Sequence, residues 1–245
     1  MSLSEKFDLG TAYRQYFQIV PALTDTLRNE VYRVRHQVFC EDLAFESLRT
    51  NRLETDEYDP QSIHILIRSI KTDTFIGCTR IIRTRADDPL YPLPFEKVCR
   101  EALDRSIVDP AKLPRHTIAE VSRLAVVSQF RRRKGEEKSE VPASDQDFGT
   151  ESQPRFPYIP VSLYLAATEL ARINGIQTCF VLTEERLANH FRKIGFEPQT
   201  VGRAVEHRGQ RIPSMMSPGT VLNNLRVVLR PLYESVAADI ANNLT

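Results

Sequence analysis

A single stretch, AEVSRLAVV at residues 119–127, places three polar side chains inside an otherwise apolar run. The run is typical of a central β-strand, yet it contains Glu120, Ser122 and Arg123. A charge in such a strand loses its hydration, so the rest of the protein must compensate it. The stretch therefore indicates that a functional site is built on this strand.

The spacing of Glu120 and Arg123 conflicts with a regular strand. Their separation is odd, so alternation would direct the two side chains to opposite faces of the sheet. For both to face one cavity, the strand needs a β-bulge, which also frees a backbone N–H group. We therefore predict an irregularity between residues 121 and 126.

Helical and strand patterns alternate along the chain. A β-prone run at 15–20 precedes a helix with Thr24 or Asp25 as its N-cap, and IHILIRSI and FIGCTRIIRT, joined by KTDT, predict an antiparallel hairpin. The other predicted elements are a helix starting near Pro94, a helix from Pro160 to Gly175, a short buried strand at CFVLT, a helix ending at Gly195, and strands at about 199–206 and 224–230. This order predicts an α/β fold with a partly antiparallel sheet.

The overall charge is balanced, with 33 basic and 32 acidic residues and a net charge of +1. This balance argues against nucleic acid as a partner, because nucleic-acid-binding proteins carry a larger basic footprint. No apolar run reaches the ~20 residues that span a bilayer, and the N-terminus has no signal-peptide pattern. We expect a cytoplasmic protein without a transmembrane segment, while peripheral contact with a membrane stays open.

The four cysteines are far apart, with no CxxC pair and no histidine at metal-ligand spacing. We expect reduced, mostly buried thiols and no metal site. These residues are Cys40, Cys78, Cys99 and Cys179.

Residues 131–158 differ from the rest of the chain in containing charge, Ser, Pro and Gly but little periodic apolar content. We predict that they form an insertion that is mobile when nothing is bound. No internal repeat or second separable hydrophobic unit is visible, so we expect a single domain over 1–245.

Further charged residues lie in three segments before the organising strand. Taken alone, Arg33, Arg35 and His36 would form a solvated basic face of the first helix. Arg80 stands between apolar residues of a hairpin strand, so it either pairs with a carboxylate or lines a wet cavity. The loop before Pro60 crowds four carboxylates together and is either solvated or faces a substrate. These carboxylates are Glu54, Asp56, Glu57 and Asp59.

Four motifs, in this order, resemble the Gcn5-related N-acyltransferase (GNAT) family. RHQVFCEDLAF is similar to an R-x-x-x-F helix, DEYD to a D-x-x-D pair, GCTRII to a strand arginine, and EVSRL to an E-x-S-R motif. The resemblance covers about residues 14–200. It is to the branch with acyl-homoserine-lactone synthases, N-acyl amino acid synthases and acyltransferases associated with the PEP-CTERM/exosortase system. The matching residues are Arg35, Phe39, Phe45, Asp56, Asp59, Arg80, Glu120, Ser122 and Arg123.

This resemblance implies a GNAT-like mixed, mostly antiparallel sheet flanked by helices, and an acyltransferase activity. An acyl group would pass from an acyl-carrier-protein or acyl-coenzyme A co-substrate, without a permanently bound cofactor, to the amine of a small acceptor such as an amino acid. Glu120 would be the base, with Ser122 and Arg123 beside it, although an internal ion pair is the alternative role for this carboxylate. The acceptor would be bound by Arg35, Phe39, Phe45, Asp56, Asp59 and Arg80; these arginines could equally pair with the two aspartates.

The segment LAVVSQFRRRKG is similar to the strand and pyrophosphate loop of the wider superfamily. It implies that the acyl donor is bound by Leu124, Val126, Arg131, Arg132, Arg133, Lys134 and Gly135. Glu137 stands where the loop usually has a small residue, which favours an acyl carrier protein as the partner. Phe191 occupies a position where many relatives carry a tyrosine that protonates the leaving thiol, and a phenyl ring cannot donate a proton.

Two other functions remain open at this level. One is an acyl-homoserine-lactone synthase that uses S-adenosylmethionine as the acceptor. The other is a non-catalytic module that binds acyl chains or a carrier protein. The first differs from our interpretation only in the acceptor, and the second would have no turnover.

Overall fold

The computed structural model describes residues 8–130, 149–150, 153–154, 157–193 and 195–244. Its strands are Phe17–Pro21 (β1), Ser62–Ser69 (β2), Thr74–Arg83 (β3), Ile118–Val126 (β4), Gly149–Thr150 (β5), Gln153–Pro154 (β6), Thr178–Thr183 (β7), Gln199–Thr200 (β8), Val205–Glu206 (β9) and Gln210–Met216 (β10). Its α-helices are Leu9–Tyr16 (α1), Asp25–Arg35 (α2), Pro94–Val98 (α3), Tyr158–Ile173 (α4), Glu185–Lys193 (α5), Pro218–Asn223 (α6) and Arg230–Leu244 (α7). A π-helix, His36–Asp42, continues α2.

The central sheet has eight strands in the order β1-β2-β3-β4-β7-β10-β8, with β9 paired to β10. Neighbouring strands are antiparallel, except that β4 and β7 are parallel. Strands β5 and β6 form a separate two-stranded hairpin. The predicted fold class, a mixed and mostly antiparallel sheet flanked by helices, is therefore confirmed.

Several local signals in the sequence act as predicted. The Thr24 hydroxyl caps α2 by accepting a hydrogen bond from the Leu27 amide. The KTDT segment closes the β2–β3 hairpin with Asp73 at a φ of 52°. Gly175 and Gly195 follow α4 and α5 at φ values of 72° and 91°, where glycine meets no steric penalty.

The main hydrophobic core lies between the sheet and its helices. Helix α4 is buried along most of its length and packs against β1, β2, β3, β4 and α7. Helix α2 contacts β2, β3 and β4. A smaller cluster forms around Phe95 of α3 and Phe180 of β7, whose rings stack at 4.2 Å between centroids. This second cluster lies beside the strand that carries Glu120.

Two predictions about the chain ends are wrong. Residues 15 and 16 belong to α1, so the first strand starts at Phe17. The segment 224–230 is not a strand, because Val227 and Val228 are exposed and the buried residues that follow are spaced for a helix. These buried residues are Leu229, Leu232, Val236 and Ile240. They bring α7 into the core, while the last long strand is Gln210–Met216.

The two parallel strands at the centre of the sheet separate along their length. Ile118, Ala119 and Glu120 of β4 pair with Thr178, Cys179 and Phe180 of β7. No pairing between β4 and β7 follows Glu120 in the described part of the sheet. The separation opens a gap beside Glu120, Ser122 and Arg123.

Candidate active site

The predicted irregularity in β4 is present at Arg123 and Leu124. Cys78 of β3 pairs with Ala125, but Arg80 pairs with Ser122, so two residues of β4 oppose Thr79 alone. Arg123 has a φ of 55°, a left-handed conformation that is uncommon for a residue with a side chain. The bulge allows Glu120 and Arg123 to line the same cavity.

Arg80 is 1% exposed and binds two carboxylates of the acidic loop. Its Nη1 donates to Asp56 Oδ1 at 2.7 Å and to Asp59 Oδ1 at 2.6 Å, and its Nη2 donates to Asp56 Oδ2 at 2.7 Å. Its Nε donates to the Ser122 hydroxyl at 3.1 Å. Arg80 therefore pairs with carboxylates, as one alternative predicted, and it also lines the cavity described below; Ser122 orients the guanidinium.

Arg35 and Arg123 extend this pairing into a network. Arg35 is fully buried; its Nε contacts Glu54 and its Nη1 donates to Asp59 at 2.6 Å. Arg123 Nη2 lies 3.2 Å from Glu54 Oε1 and 3.1 Å from Asp56 Oδ2. Three guanidinium groups therefore meet three carboxylates, which we call the arginine–carboxylate network: Arg35, Arg80, Arg123, Glu54, Asp56 and Asp59.

The network corrects two alternatives considered from the sequence. Arg35 and His36 are buried and are not part of a solvated basic face, whereas Arg33 is largely exposed and pairs with Glu30. The acidic loop is not uniformly solvated, because Glu54 and Asp59 are buried. Glu54 was visible in the sequence only as one acid among four; its partners lie on other segments.

The arginines keep two carboxyls of the acidic loop, Glu54 and Asp56, ionised. Burial opposes ionisation of Asp56, but hydrogen bonds and charge from Arg80, with Arg123 and Arg35 nearby, hold the pKa of this carboxyl well below its ordinary value. Burial likewise disfavours charged Glu54, and Arg35 and Arg123 outweigh it, so the pKa of Glu54 is also lowered. Glu54 and Asp56 are therefore carboxylates at neutral pH.

Glu120 is in a different electrostatic situation. It is 3% exposed, and its Oε2 accepts a hydrogen bond from the Phe95 amide at 2.7 Å. Burial raises the pKa of Glu120 to about 7, although the Phe95 hydrogen bond and the charges of Arg80 and Arg123 favour the ionised form. A carboxyl with a pKa near 7 can accept a proton and release it at neutral pH.

A cavity of about 280 Å³ occupies the gap between β4 and β7. Its polar wall includes Asp56, Arg80, Glu120, Ser122 and Arg123. Its apolar wall is formed by side chains of α4, β7 and α5, including Leu163, Tyr164, Ala167, Val181, Leu187 and Phe191. Charged groups thus face an apolar surface across one cavity, which suits a ligand with a polar reacting group and an apolar tail.

Three cavity residues near the β9–β10 turn were not singled out by any sequence pattern: His207, Arg208 and Arg211. Arg208 contacts Glu46, whose Oε1 also lies 3.5 Å from Arg123 Nη2. Arg211 Nη1 lies 3.4 Å from Glu184 Oε1. No local signal could have found these residues, because the β7–β10 pairing alone brings them to the cavity.

Several predicted site residues lie outside the cavity lining. Phe39 is buried, and the Arg123 guanidinium carbon lies over its ring, 5.6 Å from the ring centroid. The Phe45 amide donates to the Phe39 carbonyl at 2.8 Å. Val126 pairs with Gly77 and is fully buried, so only Leu124 of the two predicted strand residues reaches the cavity. Arg35 and Asp59 also lie outside the cavity lining, but they contact residues of its polar wall. The predicted donor-binding residues Arg131, Arg132, Arg133, Lys134 and Gly135 lie outside the described residues.

Phe191 lies in the apolar wall of the cavity. Its sequence position resembles that of the tyrosine that protonates the leaving thiol in many relatives, so a place at the cavity was expected. Its ring is 4.6 Å from the ring of Tyr164, which lines the same cavity from α4. Tyr164 therefore places a hydroxyl-bearing ring beside Phe191.

The cysteines are free and buried, as expected. Burial raises the pKa of Cys78 and of Cys179 to about 12 and that of Cys99 to about 11, so these thiols are protonated at neutral pH. Among the residues that the structure describes, no cluster of His, Cys, Asp and Glu has the arrangement of a metal site, and no helix could cross a membrane.

Comparisons with known proteins agree with this geometry. Residues 34–138 match the family model of the acetyltransferase (GNAT) domain. No match was found among curated proteins. The matched segment contains the arginine–carboxylate network and Glu120.

Solved structures resemble the chain over most of its length. TofI, in a ternary complex with an inhibitor and MTA, is 19% identical with a TM-score of 0.60, covering 89% of this chain and 98% of its own. BjaI, a CoA-dependent acyl-homoserine lactone synthase with SAM and isopentyl-CoA, is 18% identical with a TM-score of 0.59, covering 94% and 99%. FeeM, an N-acyl amino acid synthase from uncultured soil microbes, is 12% identical with a TM-score of 0.55, covering 86% and 96%. By its sheet order and these similarities, the chain has a GNAT-like fold.

Proposed function

We propose that the chain is an N-acyltransferase that moves a fatty acyl group from an acyl-carrier-protein or acyl-coenzyme A thioester to the amine of a small acceptor such as an amino acid. One observation carries the proposal: Glu120, a buried carboxyl with a pKa of about 7, lines the cavity between the diverging strands, next to the bulge at Arg123. The GNAT domain match supports the reaction class.

In the proposed reaction, Glu120 accepts a proton from the acceptor amine, and the nitrogen lone pair attacks the thioester carbonyl carbon. The C–N bond forms, the C–S bond breaks, and the sulfur leaves as a thiolate that takes up a proton. A backbone N–H of the bulge, at Leu124, would donate to the developing oxyanion. The attack is direct and needs no acyl-enzyme, which agrees with four buried cysteines whose thiol pKa values are raised by burial.

The arginine–carboxylate network bears on the acceptor. Its three guanidinium groups are already matched by three carboxylates, so an acceptor carboxylate would gain little from them. In the proposal the network fixes the polar wall instead.

The experiment is a product assay with the purified protein. Acyl-CoA and acyl-carrier-protein donors are each combined with a panel of amino acids or with S-adenosylmethionine, and products are identified by mass spectrometry. N-acyl amino acids support the proposal, and acyl-homoserine lactones would replace it by the synthase alternative. Donor binding with no product in any combination would favour the non-catalytic module.

Glu120→Gln tests the assigned base, and Glu101→Gln, at an exposed carboxyl, is its matched control. We expect Glu120→Gln to lower kcat roughly 10²–10⁴-fold, the range for a general base, while donor affinity is kept. Glu101→Gln should behave as wild type. Turnover of Glu120→Gln within a few fold of wild type would remove Glu120 from the mechanism.

Lipids from cells overproducing wild type or Glu120→Gln, compared by mass spectrometry, would show the natural product. We include a relation to PEP-CTERM/exosortase acyltransferases as part of the proposal.

A further inference from the structure

The short helix α3 makes the direct contact that matters for Glu120. The Phe95 amide donates to Glu120 Oε2 at 2.7 Å, and this hydrogen bond favours the ionised carboxylate. The Phe95 ring disfavours the ionised carboxylate, because it keeps water away from Glu120. The ring stacks on Phe180, the residue paired with Glu120 across the β4–β7 contact. One residue thus both excludes water from Glu120 and supplies a hydrogen bond to it.

Helix α3 is held in place by a partly buried ion pair. Arg115, 8% exposed, binds Glu96 through two parallel hydrogen bonds, Nη1 to Oε1 at 2.9 Å and Nη2 to Oε2 at 2.8 Å. Glu96 Oε2 also accepts from the Leu93 amide at 2.8 Å, which fixes the start of α3. We call Arg115 and Glu96 the α3 clamp.

The clamp links α3 to the strand that carries Glu120. Arg115 lies just before β4, and its Nε and Nη atoms also donate to the carbonyls of Pro89, Tyr91 and Pro110. A planar guanidinium with this many acceptors holds both the loop before α3 and the turn before β4. Neither clamp residue belongs to the cavity lining or to the arginine–carboxylate network.

Other charged or titratable groups that face Glu120 come from four segments. Arg80 of β3 and Arg123 of the bulge favour its ionised form, and Asp56 of the acidic loop opposes it. The Cys99 thiol, directly after α3, has its pKa raised by burial and by the charge of Glu120. Of these groups, none is recorded as a hydrogen-bond donor to Glu120 among the described residues, so the Phe95 amide is the contact most sensitive to position.

We propose that Arg115 and Glu96 are positioning residues that hold the Phe95 amide against Glu120 and thereby set the pH range in which this carboxyl accepts a proton. The catalytic meaning of this role rests on the proposed function. The proton equilibrium of Glu120 itself can be measured without any substrate.

The direct test removes only the N–H group of Phe95 that donates to Glu120. Replacing Phe95 with L-phenyllactic acid turns the amide N–H that faces Glu120 into an ester oxygen and keeps the aromatic ring. Infrared difference titration, with Glu120→Gln as the reference, follows the protonated Glu120 carboxyl. Loss of a hydrogen bond to a charged group should raise the pKa of Glu120 by about one unit or more above its wild-type value. An unchanged titration in the folded ester protein would overturn the proposal.

The clamp is tested by Arg115→Lys, which keeps the charge but cannot form two parallel hydrogen bonds, and by Glu96→Gln, a milder change that serves if Arg115→Lys does not fold. Each should move the titration of Glu120 upward. Arg105→Lys, in an exposed pair with Asp109, is the control and should leave it unchanged. A shift downward would mean that α3 lifts away and admits water, which would refute action through the Phe95 hydrogen bond.

The outcomes separate this inference from the proposed function. If the titration shifts as expected but no donor and acceptor pair gives a product, the positioning role stands and the acyltransferase proposal falls. If the protein is active, the acidic limb of its kcat–pH profile should move upward by the same amount in Arg115→Lys. Activity with an unmoved profile and an unmoved titration would refute the positioning role alone.

Discussion

The arginine–carboxylate network and Glu120 are neighbours, yet burial is accompanied by opposite pKa shifts of their carboxyl groups. Glu54 is 1% exposed and Glu120 is 3% exposed, so burial alone does not distinguish them. Glu54 is bound directly by Arg35 and Arg123, whereas Glu120 accepts from one neutral amide. The pKa of Glu54 is lowered and that of Glu120 is raised to about 7.

The difference shows which contacts decide ionisation in this protein. Direct hydrogen bonds from cations outweigh the loss of hydration at Glu54 and Asp56. A single amide with two guanidinium groups beyond hydrogen-bonding reach does not outweigh it at Glu120. The same small region therefore combines a permanently charged scaffold with a carboxyl that can exchange a proton.

The largest expected effect comes from breaking the network at its centre. Arg80→Met leaves the buried Asp59 and the partly buried Asp56 beside fewer cations, and removing one partner of a buried pair typically costs about 3–5 kcal/mol. Denaturant unfolding at pH 7 measures the loss. Arg105→Met, which breaks an exposed pair with Asp109, should cost less than about 1 kcal/mol. A loss at Arg80→Met no larger than in this control would show that the network contributes little to stability.

The next effect concerns the cost of charging Glu120. The folded protein holds the Glu120 proton more tightly than the unfolded chain, with a pKa of about 7 against 4.5. Its contribution to stability is therefore fully present below pH 4.5 and is lost as the pH rises to 7, a difference of about 3 kcal/mol. Glu120→Gln removes this loss. We expect the variant to be more stable than wild type by about 3 kcal/mol at pH 8 and nearly equal near pH 4.

Denaturant unfolding of wild type and Glu120→Gln across this pH range makes the measurement. Equal stability of the two proteins at pH 8 would mean that charged Glu120 is compensated like Glu54. It would also remove the contrast on which the comparison depends.

A smaller effect with the opposite pH dependence is expected at Asp56. Its pKa is depressed in the folded protein, so its stabilising contribution is present above the ordinary value of 3.8 and is lost as the pH falls below it. Asp56→Asn should lower stability by about 2 kcal/mol at pH 7, the range for hydrogen bonds to charged groups. The gap to wild type should narrow in thermal unfolding below pH 4. A gap that stays constant with pH would place the effect of Asp56 in packing and not in charge.

The smallest effect is expected where the network reaches solvent. The side chains of Glu46, Arg123 and Arg208 are 22%, 15% and 23% exposed, so solvent screens their contacts. Glu46→Gln should cost less than about 1 kcal/mol, and the cost should shrink further in 1 M salt. Unfolding at low and high salt tests this. A salt-independent loss of more than 2 kcal/mol would place Glu46 inside the buried network.

Local signals predicted much of the fold. The cap at Thr24, the hairpin turn at Asp73 and the glycines after α4 and α5 act over a few residues, so they are readable without tertiary structure. The strand predicted at 224–230 was wrong because the β-branched pair at Val227 and Val228 is typical of a strand, and only the fold shows that both side chains are exposed.

The candidate site likewise has features that the sequence predicts and features that only the tertiary structure shows. The sequence by itself determined that charge had to be compensated on β4 and that the strand had to bulge, because the alternation of side chains is a property of consecutive residues. It also placed Arg80 among candidates for carboxylate pairing. Tertiary structure alone decided that Glu54 is paired with arginines and that Glu120 faces the Phe95 amide. These outcomes depend on distances between segments 19 to 69 residues apart, and electrostatic energies in a dry interior change steeply with such distances.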